Sequence, residues 1–322
     1  MDSEFEAALA SATRSHDVTG NIQDIRAMAA NSKTEWLAGL EEWAGTTEDI
    51  AISTRDDESI LIRVYRPSNF TTGCGLPVIV WYHGGGFCLG DLDSDETFCR
   101  RVSEEVDTII VSVDYRLAPE WRFPIAINDC WDALQWIFSN ASSLGGDIKK
   151  GFIIGGGSAG ANLAAVVAHL ASDQRMGNHE ITGVHLGVPL LIHPEAVPEQ
   201  YRAEYRAMED NRNAAILSRQ AISMLINEYN PPPKDPLFSV LFWDTDLKTF
   251  PVTYLQACGL DVLRDDALIF EKLLRQNGSV KTKLDFYPGV PHAFNAAFPE
   301  LKISKKFVND AIQGFRWLLH PV

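Results

Sequence analysis

A serine placed between closely spaced glycines is the residue of this sequence best suited to do chemistry. The segment Gly156-Gly157-Ser158-Ala159-Gly160 follows a short apolar stretch and precedes an apolar run of helical character. This G-x-S-x-G pattern is typical of a nucleophile elbow, in which a sharp turn between a strand and a helix exposes the serine Oγ. The turn also directs the backbone N–H of Ala159 to the same point. The pattern predicts Ser158 as a nucleophile, with Gly156 and Gly160 supporting the turn.

The same segment fits a second pattern. Gly155, Gly157 and Gly160 match G-x-G-x-x-G between a strand and a helix, which is the fingerprint of a dinucleotide site, and Asp173 and Glu180 follow. A serine nucleophile, by contrast, needs a base that takes its proton and a carboxylate that orients the base. The rest of the chain therefore has to distinguish the two interpretations.

Two later segments supply the carboxylate and the base. Asp261 follows the apolar stretch 252–257, and His292 follows the stretch 281–287, so each lies just after a predicted strand. Ser158, Asp261 and His292 occur along the chain in the order that a triad built on a nucleophile elbow requires. A dinucleotide site has no need of them, so the sequence favours a Ser-His-Asp hydrolase. It contains no H-E-x-x-H or G-K-[ST] segment, and we expect neither a metal ion nor a cofactor.

A run of glycines after another apolar stretch could stabilise the negative charge of an acyl-transfer intermediate. The segment His83-Gly84-Gly85-Gly86-Phe87 follows the stretch 77–82. Consecutive glycines can adopt positive φ and turn their N–H groups outward. We expect Gly85, Gly86 and Ala159 to form an oxyanion hole, supported by Gly84. His83 is expected to fix the backbone of this loop rather than to act as a base.

The elements that must position these residues alternate between strand and helix. Apolar stretches at 77–82, 108–113, 152–154, 184–190 and 252–257 predict a mostly parallel sheet flanked by helices. The carboxyl ends of parallel strands meet at one edge, which is where the candidate residues follow their strands. An antiparallel hairpin is predicted over 47–67, with Arg55 to Glu58 as its turn. In the loop after 108–113, Arg116 and Glu120 are expected to pair.

Two segments interrupt or precede this alternation and predict a cap. We expect 1–46 to be an N-terminal helical cap segment, 47–192 the first part of the core, 193–240 a helical cap insertion and 241–322 the second part of the core. Candidate substrate contacts in or near the cap and the glycine loop are Trp36, Trp43, Phe87 and His193.

Composition restricts the classes of partner. The chain has 322 residues and a net charge of −15, which disfavours nucleic acid and anionic membranes. The five cysteines lack C-x-x-C spacing, so neither a disulfide framework nor a zinc site is predicted. The N-terminus lacks the features of a signal peptide, and no apolar run approaches the roughly 18 residues of a membrane span. We expect a cytoplasmic protein that acts on a small-molecule ester; the sequence does not predict its oligomeric state.

Together these motifs resemble the hormone-sensitive-lipase-like family of α/β-hydrolases, which includes arylacetamide-deacetylase-like carboxylesterases. The matching segments are His83 to Phe87, Asp114 to Glu120, Gly156 to Gly160 with Asn162-Leu-Ala, Leu260 to Asp265, and Pro291 to Phe294. The resemblance implies an α/β-hydrolase fold under a cap built from two segments. It also implies hydrolysis of carboxylic esters of short to medium acyl chain through an acyl-enzyme.

The sequence departs from this family beside the nucleophile. The family usually has Asp before the serine, where this chain has Gly157, and Gly where it has Ala161. The missing carboxylate removes a hydrogen-bonding group from the elbow but leaves the triad complete.

Other functions of the same scaffold stay open. A dedicated deacetylase, a lactone hydrolase or a dehydratase of a biosynthetic pathway would use a similar site. A ligand-binding receptor such as the gibberellin receptor lacks the histidine, and the presence of His292 argues against that function.

Overall fold

A single mixed sheet forms the centre of the molecule. The computed structural model describes residues 1–12, 17–174, 181–244 and 247–321, with the backbone alone for several residues of the second helix and for Gln174. The strands of these ranges are β1 (Thr46–Ser53), β2 (Ser59–Arg66), β3 (Val78–Tyr82), β4 (Ile109–Val113), β5 (Phe152–Gly157), β6 (Gly183–Gly187), β7 (Thr253–Cys258) and β8 (Thr282–Tyr287). They pair in the order β1-β2-β4-β3-β5-β6-β7-β8 within the part of the chain that is described.

The pairing confirms the predicted mostly parallel sheet. β1 and β2 form the expected antiparallel hairpin, and β2 pairs antiparallel with β4. Every other neighbouring pair in this sheet is parallel. The strand predicted over 184–190 is displaced, because β6 ends at Gly187. Val188 adopts a positive φ of 42° and Pro189 has no N–H to donate to a neighbouring strand, so the extended backbone stops there.

Helices cover both faces of the sheet. In the described ranges they are α1 (Ser3–Ser11), α2 (Ile22–Ala38), α3 (Glu96–Val106), α4 (Ile125–Leu144), α5 (Ala159–Gln174), α6 (Ala207–Asp210), α7 (Arg219–Tyr229), α8 (Arg264–Leu273), α9 (Phe294–Ala297) and α10 (Lys302–Leu319). Helices α4, α5 and α8 bury their apolar residues in the larger core on one face, and α3 and α10 pack against the other. No helix of the described ranges is long and apolar enough to cross a membrane.

The 193–240 insertion contains less helix than the sequence predicts. Helix α7 is its one element longer than a few residues among those described, and α6 and several 3-10 turns make up much of the rest. Proline breaks the segment near its start at Pro194 and Pro198 and near its end at residues 231–233, which limits continuous helix. The buried face of α7 is formed by residues such as Ile222, Leu225 and Tyr229.

The expected Arg116–Glu120 pair does not form. Arg116 instead donates to the carboxylates of Asp56 and Asp129, at 2.9 and 2.6 Å, and so ties its loop to the β1–β2 hairpin and to α4. Glu120 accepts from Arg26 of α2 at 2.7 Å. Both residues thus form ion pairs with residues that are distant in sequence. The four-residue spacing between Arg116 and Glu120 could not predict these pairs.

Two buried histidines, His169 in α5 and His185 in β6, predict acid sensitivity. Burial lowers the pKa of His169 and of His185 to about 3, well below the value of about 6.5 for an unfolded chain. Since only the unfolded chain takes up these protons, the free energy of unfolding is intact above pH 6.5. It then falls by up to about 1.4 kcal/mol per pH unit for each histidine as the pH drops from about 6.5 towards 3.

We expect His185→Phe to reduce this pH dependence, because phenylalanine takes up no proton in the unfolded chain. The ring of His185 already stacks on Phe315 with centroids 4.6 Å apart, so an aromatic ring fits at this position. Urea unfolding of both proteins between pH 7 and pH 5 measures the slopes. Equal slopes for the two proteins would contradict the assignment to His185.

Candidate active site

Ser158 lies on a sharp turn between β5 and α5, as the elbow pattern predicts. Its φ is 55°, a left-handed value that few residues other than glycine adopt. A side chain on Gly160 would collide with the carbonyl oxygen of Tyr82, and one on Gly156 with the backbone of Gly160. The helix can therefore approach the strands this closely only because both positions are glycine.

Three strand ends bring Ser158, His292 and Asp261 into hydrogen-bonding contact. The Ser158 Oγ lies 2.9 Å from His292 Nε2, and His292 Nδ1 lies 2.7 Å from Asp261 Oδ2. Asp261 is almost fully buried, and its other oxygen accepts from the Leu263 N–H at 2.9 Å. With the proton of His292 on Nδ1, facing Asp261, Nε2 is free to accept the serine proton. The arrangement can activate Ser158 as a nucleophile.

The glycine loop after β3 presents unused N–H groups beside this serine. Gly85 and Gly86 have φ values of 122° and 61°, and a side chain on Gly84 would lie 3.7 Å from Ser158 Cβ. Within the described ranges, the N–H groups of Gly85, Gly86 and Ala159 donate to no protein acceptor. Such backbone groups can bind a developing negative charge.

His83 and Tyr115 stabilise the backbone of this loop. The Nδ1 of His83 lies 2.7 Å from the Gly84 carbonyl oxygen, and its ring stacks on Tyr115 with centroids 4.2 Å apart. The Tyr115 hydroxyl donates to the His83 carbonyl oxygen at 2.8 Å. These contacts constrain the backbone from which the glycine N–H groups project.

The elbow is held without a carboxylate at position 157. The Ser158 N–H donates to the Gly187 carbonyl oxygen at 2.7 Å, which fixes the turn to β6. A Cβ on Gly157 would meet no atom within 4 Å, so this position leaves open space next to the nucleophile.

Two acids that follow Asp261 accept hydrogen bonds from backbone groups that are distant in sequence. Asp265 Oδ2 accepts from the N–H groups of Arg206 and Ala207, each at 2.6 Å. Asp266 Oδ1 accepts from those of residues 191 and 192, at 2.7 and 2.8 Å. Burial raises the pKa of Asp266 well above its usual value. These side chains fix residues 191–192 and 206–207 to α8, the helix that follows Asp261, and no local signal in the sequence indicates such long-range contacts.

A cavity of about 890 Å³ lies between the segment that follows the glycine loop, α2 and the segment after His292, and Ser158, His292 and the loop glycines are not among its described wall residues. One side is formed by 88–95, which follows the glycine loop, and another by Asn295, Ala296 and Pro299, which follow His292. Helix α2 contributes Arg26 and Lys33, among others. The Arg26 guanidinium donates to the carbonyl oxygens of residues 88 and 118, at 2.9 and 2.6 Å, and so ties α2 over the cavity.

The residues proposed for substrate contact lie outside the wall of this cavity wherever their side chains are described. Phe87 is buried against Tyr229, with ring centroids 4.1 Å apart. Trp43 packs beside Tyr65 and donates to Glu104. His193 accepts from the Glu195 N–H at the start of the insertion. The side chain of Trp36 lies outside the described part of the chain. The residues that do form the wall, such as Asp95 and Asn295, carry no motif by which the sequence could have identified them.

Enlarging Gly86 is predicted to disturb the candidate oxyanion site. The added Cβ of Gly86→Ala would lie 2.5 Å from Leu225 Cδ1, at a φ that strains any residue with a side chain. We expect the loop to shift and kcat for ester hydrolysis to fall about 100-fold to 1,000-fold, the effect typical of losing one oxyanion donor. Gly73→Ala is the matched control, because Gly73 also has a positive φ, 90°, but no neighbouring atom within 4 Å. A normal kcat for Gly86→Ala would contradict the role of this N–H.

Comparison with known proteins shows the family of this chain. The family model described as alpha/beta hydrolase fold matches residues 79–296. The versiconal hemiacetal acetate esterase of Dothistroma septosporum is 36% identical over 274 residues, which cover 85% of this chain and 82% of that protein. Among solved structures, a vibralactone cyclase superposes with a TM-score of 0.92 and 32% identity, covering 98% of this chain and 94% of the other. A bacterial heroin esterase gives a TM-score of 0.87 and 29% identity, covering 99% of this chain and 98% of the other.

Proposed function

This chain belongs to the α/β-hydrolase family, among the hormone-sensitive-lipase-like carboxylesterases, and we propose that it hydrolyses carboxylic esters of short to medium acyl chain through Ser158. The observation that carries this proposal is the hydrogen-bonded series from Ser158 Oγ through His292 to Asp261. Each side chain follows a different strand, β5, β7 or β8.

The proposed reaction has two steps that share one base. His292 Nε2 removes the Ser158 proton as Oγ attacks the ester carbonyl, and Asp261 stabilises the imidazolium that forms. The N–H groups of Gly85, Gly86 and Ala159 bind the oxyanion. His292 then gives its proton to the departing alcohol, which leaves an acyl group on Oγ. A water molecule, deprotonated by His292, attacks this acyl group and releases the acid and the free serine.

We assign the cap of this enzyme to segments 1–46 and 193–240. Leu225 of the insertion packs directly over Gly86, and Arg26 of the N-terminal segment binds the backbone that follows the glycine loop. Both segments thus border the proposed reaction centre, while residues 47–192 and 241–322 supply the sheet and its flanking helices.

The size of the cavity supports the preference for small substrates. A volume of about 890 Å³ is within the range of small-molecule sites, and α2 and the segment after His292 both contribute to its wall. The test is hydrolysis of p-nitrophenyl esters from acetate to palmitate by the wild-type enzyme. We expect an optimum among the short and medium acyl chains. A rate that keeps rising to palmitate would contradict the proposed range.

The similarity to a vibralactone cyclase supports a second candidate activity. A hydroxyl of the bound acyl group could replace water in the second step, attack the acyl-enzyme and leave as a lactone, with His292 taking the hydroxyl proton. Product analysis by mass spectrometry with hydroxy-acid esters distinguishes the two, since hydrolysis yields the hydroxy acid and cyclisation yields the lactone.

A further inference from the structure

One carboxylate in the wall of the cavity has no partner of opposite charge. Asp95 precedes α3, and its Oδ2 accepts a hydrogen bond from Trp81 Nε1 at 2.8 Å. No ion pair to Asp95 occurs among the described residues. The other acids of this wall, Asp91 and Asp93, are both paired with Lys33, at 2.6 and 2.5 Å.

The basic groups around the cavity are already engaged or lie in solvent. Arg26 binds Glu120, Lys33 binds the two acids just named, and Arg101 binds Glu105. Lys305 also borders the cavity but is exposed. Asp95 lines the cavity, and its carboxyl therefore has unused acceptor capacity.

The surroundings of Asp95 make this an unfavourable place for an unpaired charge. The Trp81 ring that donates to it packs against Phe98, with centroids 4.8 Å apart, so the carboxyl lies beside an apolar cluster. Burial accordingly raises the pKa of Asp95, although Trp81 and the nearby His83 oppose the shift. A donor brought by a ligand would relieve this cost, because hydrogen bonds to a charged acceptor are among the stronger ones in proteins.

The position of Asp95 relates it to the reaction centre. Trp81 precedes His83 and the glycine loop by two residues, and the same cavity wall contains Asn295 and Ala296 from the segment that follows His292. The triad and the glycines of the oxyanion loop are not themselves among the described wall residues, so a substrate would have to extend from Ser158 into the cavity to contact Asp95.

We propose that Asp95 determines substrate specificity by accepting a hydrogen bond from a donor group of the ester, either a protonated amine or a hydroxyl. This inference rests on the proposed function, because it takes the cavity to be the substrate site. The amine binds more tightly than the hydroxyl, since it adds charge to the hydrogen bond. The net charge of −15 also favours the approach of a cation.

Matched pairs of esters test the proposal on the wild-type enzyme. Ethyl dimethylaminobutanoate and its carbon isostere ethyl methylhexanoate differ in one protonated nitrogen on the acyl side. Dimethylaminopropyl acetate and methylpentyl acetate place the same difference on the alcohol side, and ethyl hydroxyhexanoate against ethyl heptanoate supplies the neutral donor. A pH-indicator assay measures kcat/KM for each. We expect a preference of about tenfold to hundredfold for the amine in at least one pair, and a smaller preference for the hydroxyl.

Asp95→Asn shows whether that preference comes from this carboxyl. Asparagine has the same size and can still accept from Trp81, so we expect unchanged kcat/KM for the carbon isosteres and loss of the preference for the amine. Asp91→Asn, on the same wall, should retain it. Equal rates within every pair for wild type, or an equal fall for both members in Asp95→Asn, would overturn the proposal. An enzyme that hydrolyses none of these esters and no p-nitrophenyl ester would instead refute the proposed function.

Discussion

Replacing Ser158 by alanine should abolish ester hydrolysis while leaving the fold intact. Ser158→Ala removes the only oxygen within reach of His292 Nε2 in the described structure, so no acyl-enzyme can form. Removing such a nucleophile typically lowers kcat by about 10⁶-fold, and the remaining rate comes from binding and from the oxyanion donors. Hydrolysis of p-nitrophenyl acetate at saturating substrate measures the loss.

Stability separates this effect from misfolding. Alanine keeps the Cβ atom and the hydrogen bond that the N–H of residue 158 donates to the Gly187 carbonyl oxygen. The urea midpoint of Ser158→Ala should therefore stay close to that of wild type. Ser172→Ala is the matched control, because Ser172 lies on α5, the helix that follows Ser158, and donates to the Thr249 carbonyl oxygen at 3.2 Å. Turnover by Ser158→Ala within tenfold of wild type would show that another group is the nucleophile.

Replacing Asp261 by asparagine should also lower kcat strongly, though less than Ser158→Ala and for a different reason. The Asn side chain can still accept from the Leu263 N–H, so the loop is preserved. Its amide would then face His292 Nδ1 and donate to it, which places the imidazole proton on Nε2. A protonated Nε2 cannot accept the proton of Ser158, and we expect kcat to fall by about 10⁴-fold near neutral pH.

Asp266→Asn is the control for this prediction. Asp266 is also a buried acid at the same end of the sheet, and its Oδ1 acceptor role towards residues 191 and 192 can be taken over by the amide oxygen. Burial raises the pKa of Asp266, so loss of the ionisable group should matter little. We expect kcat for Asp266→Asn to stay within a few-fold of wild type. Equal losses for the two variants would mean that Asp261 acts only by supporting the fold.

Most of the fold could be predicted because its signals are local. Continuous apolar stretches marked the buried strands, and the polar turn Arg55 to Glu58 marked the hairpin. The end of β6 was misplaced, since the apolar residues 188–190 continue the hydrophobic pattern although the backbone turns at Val188. Hydrophobicity reports burial and does not distinguish a strand from a buried loop.

The candidate triad could be proposed from the sequence for the same reason. Parallel strands place their carboxyl ends at one edge, so Asp261 and His292 had to approach Ser158 once each was known to follow a strand. The cavity wall could not be predicted in this way. Asp95 and Asn295 belong to it because of how α2, α3 and α9 pack, and the interactions of Asp265 and Asp266 with residues 191–207 span more than 50 positions. Such contacts depend on tertiary packing and cannot be predicted from the spacing of residues in the sequence.

The proposed mechanism requires an acyl-enzyme on Ser158, and capturing this intermediate tests the mechanism most directly. Wild-type enzyme is mixed with excess p-nitrophenyl butyrate, quenched in acid within milliseconds and digested for mass spectrometry. We predict a butyryl group on the peptide that contains Ser158, together with a burst of p-nitrophenol close to one equivalent of enzyme when the second step is slower than the first. Diethyl p-nitrophenyl phosphate should label the same peptide stoichiometrically and stop turnover. Active enzyme that carries neither label on Ser158 would contradict the proposed mechanism.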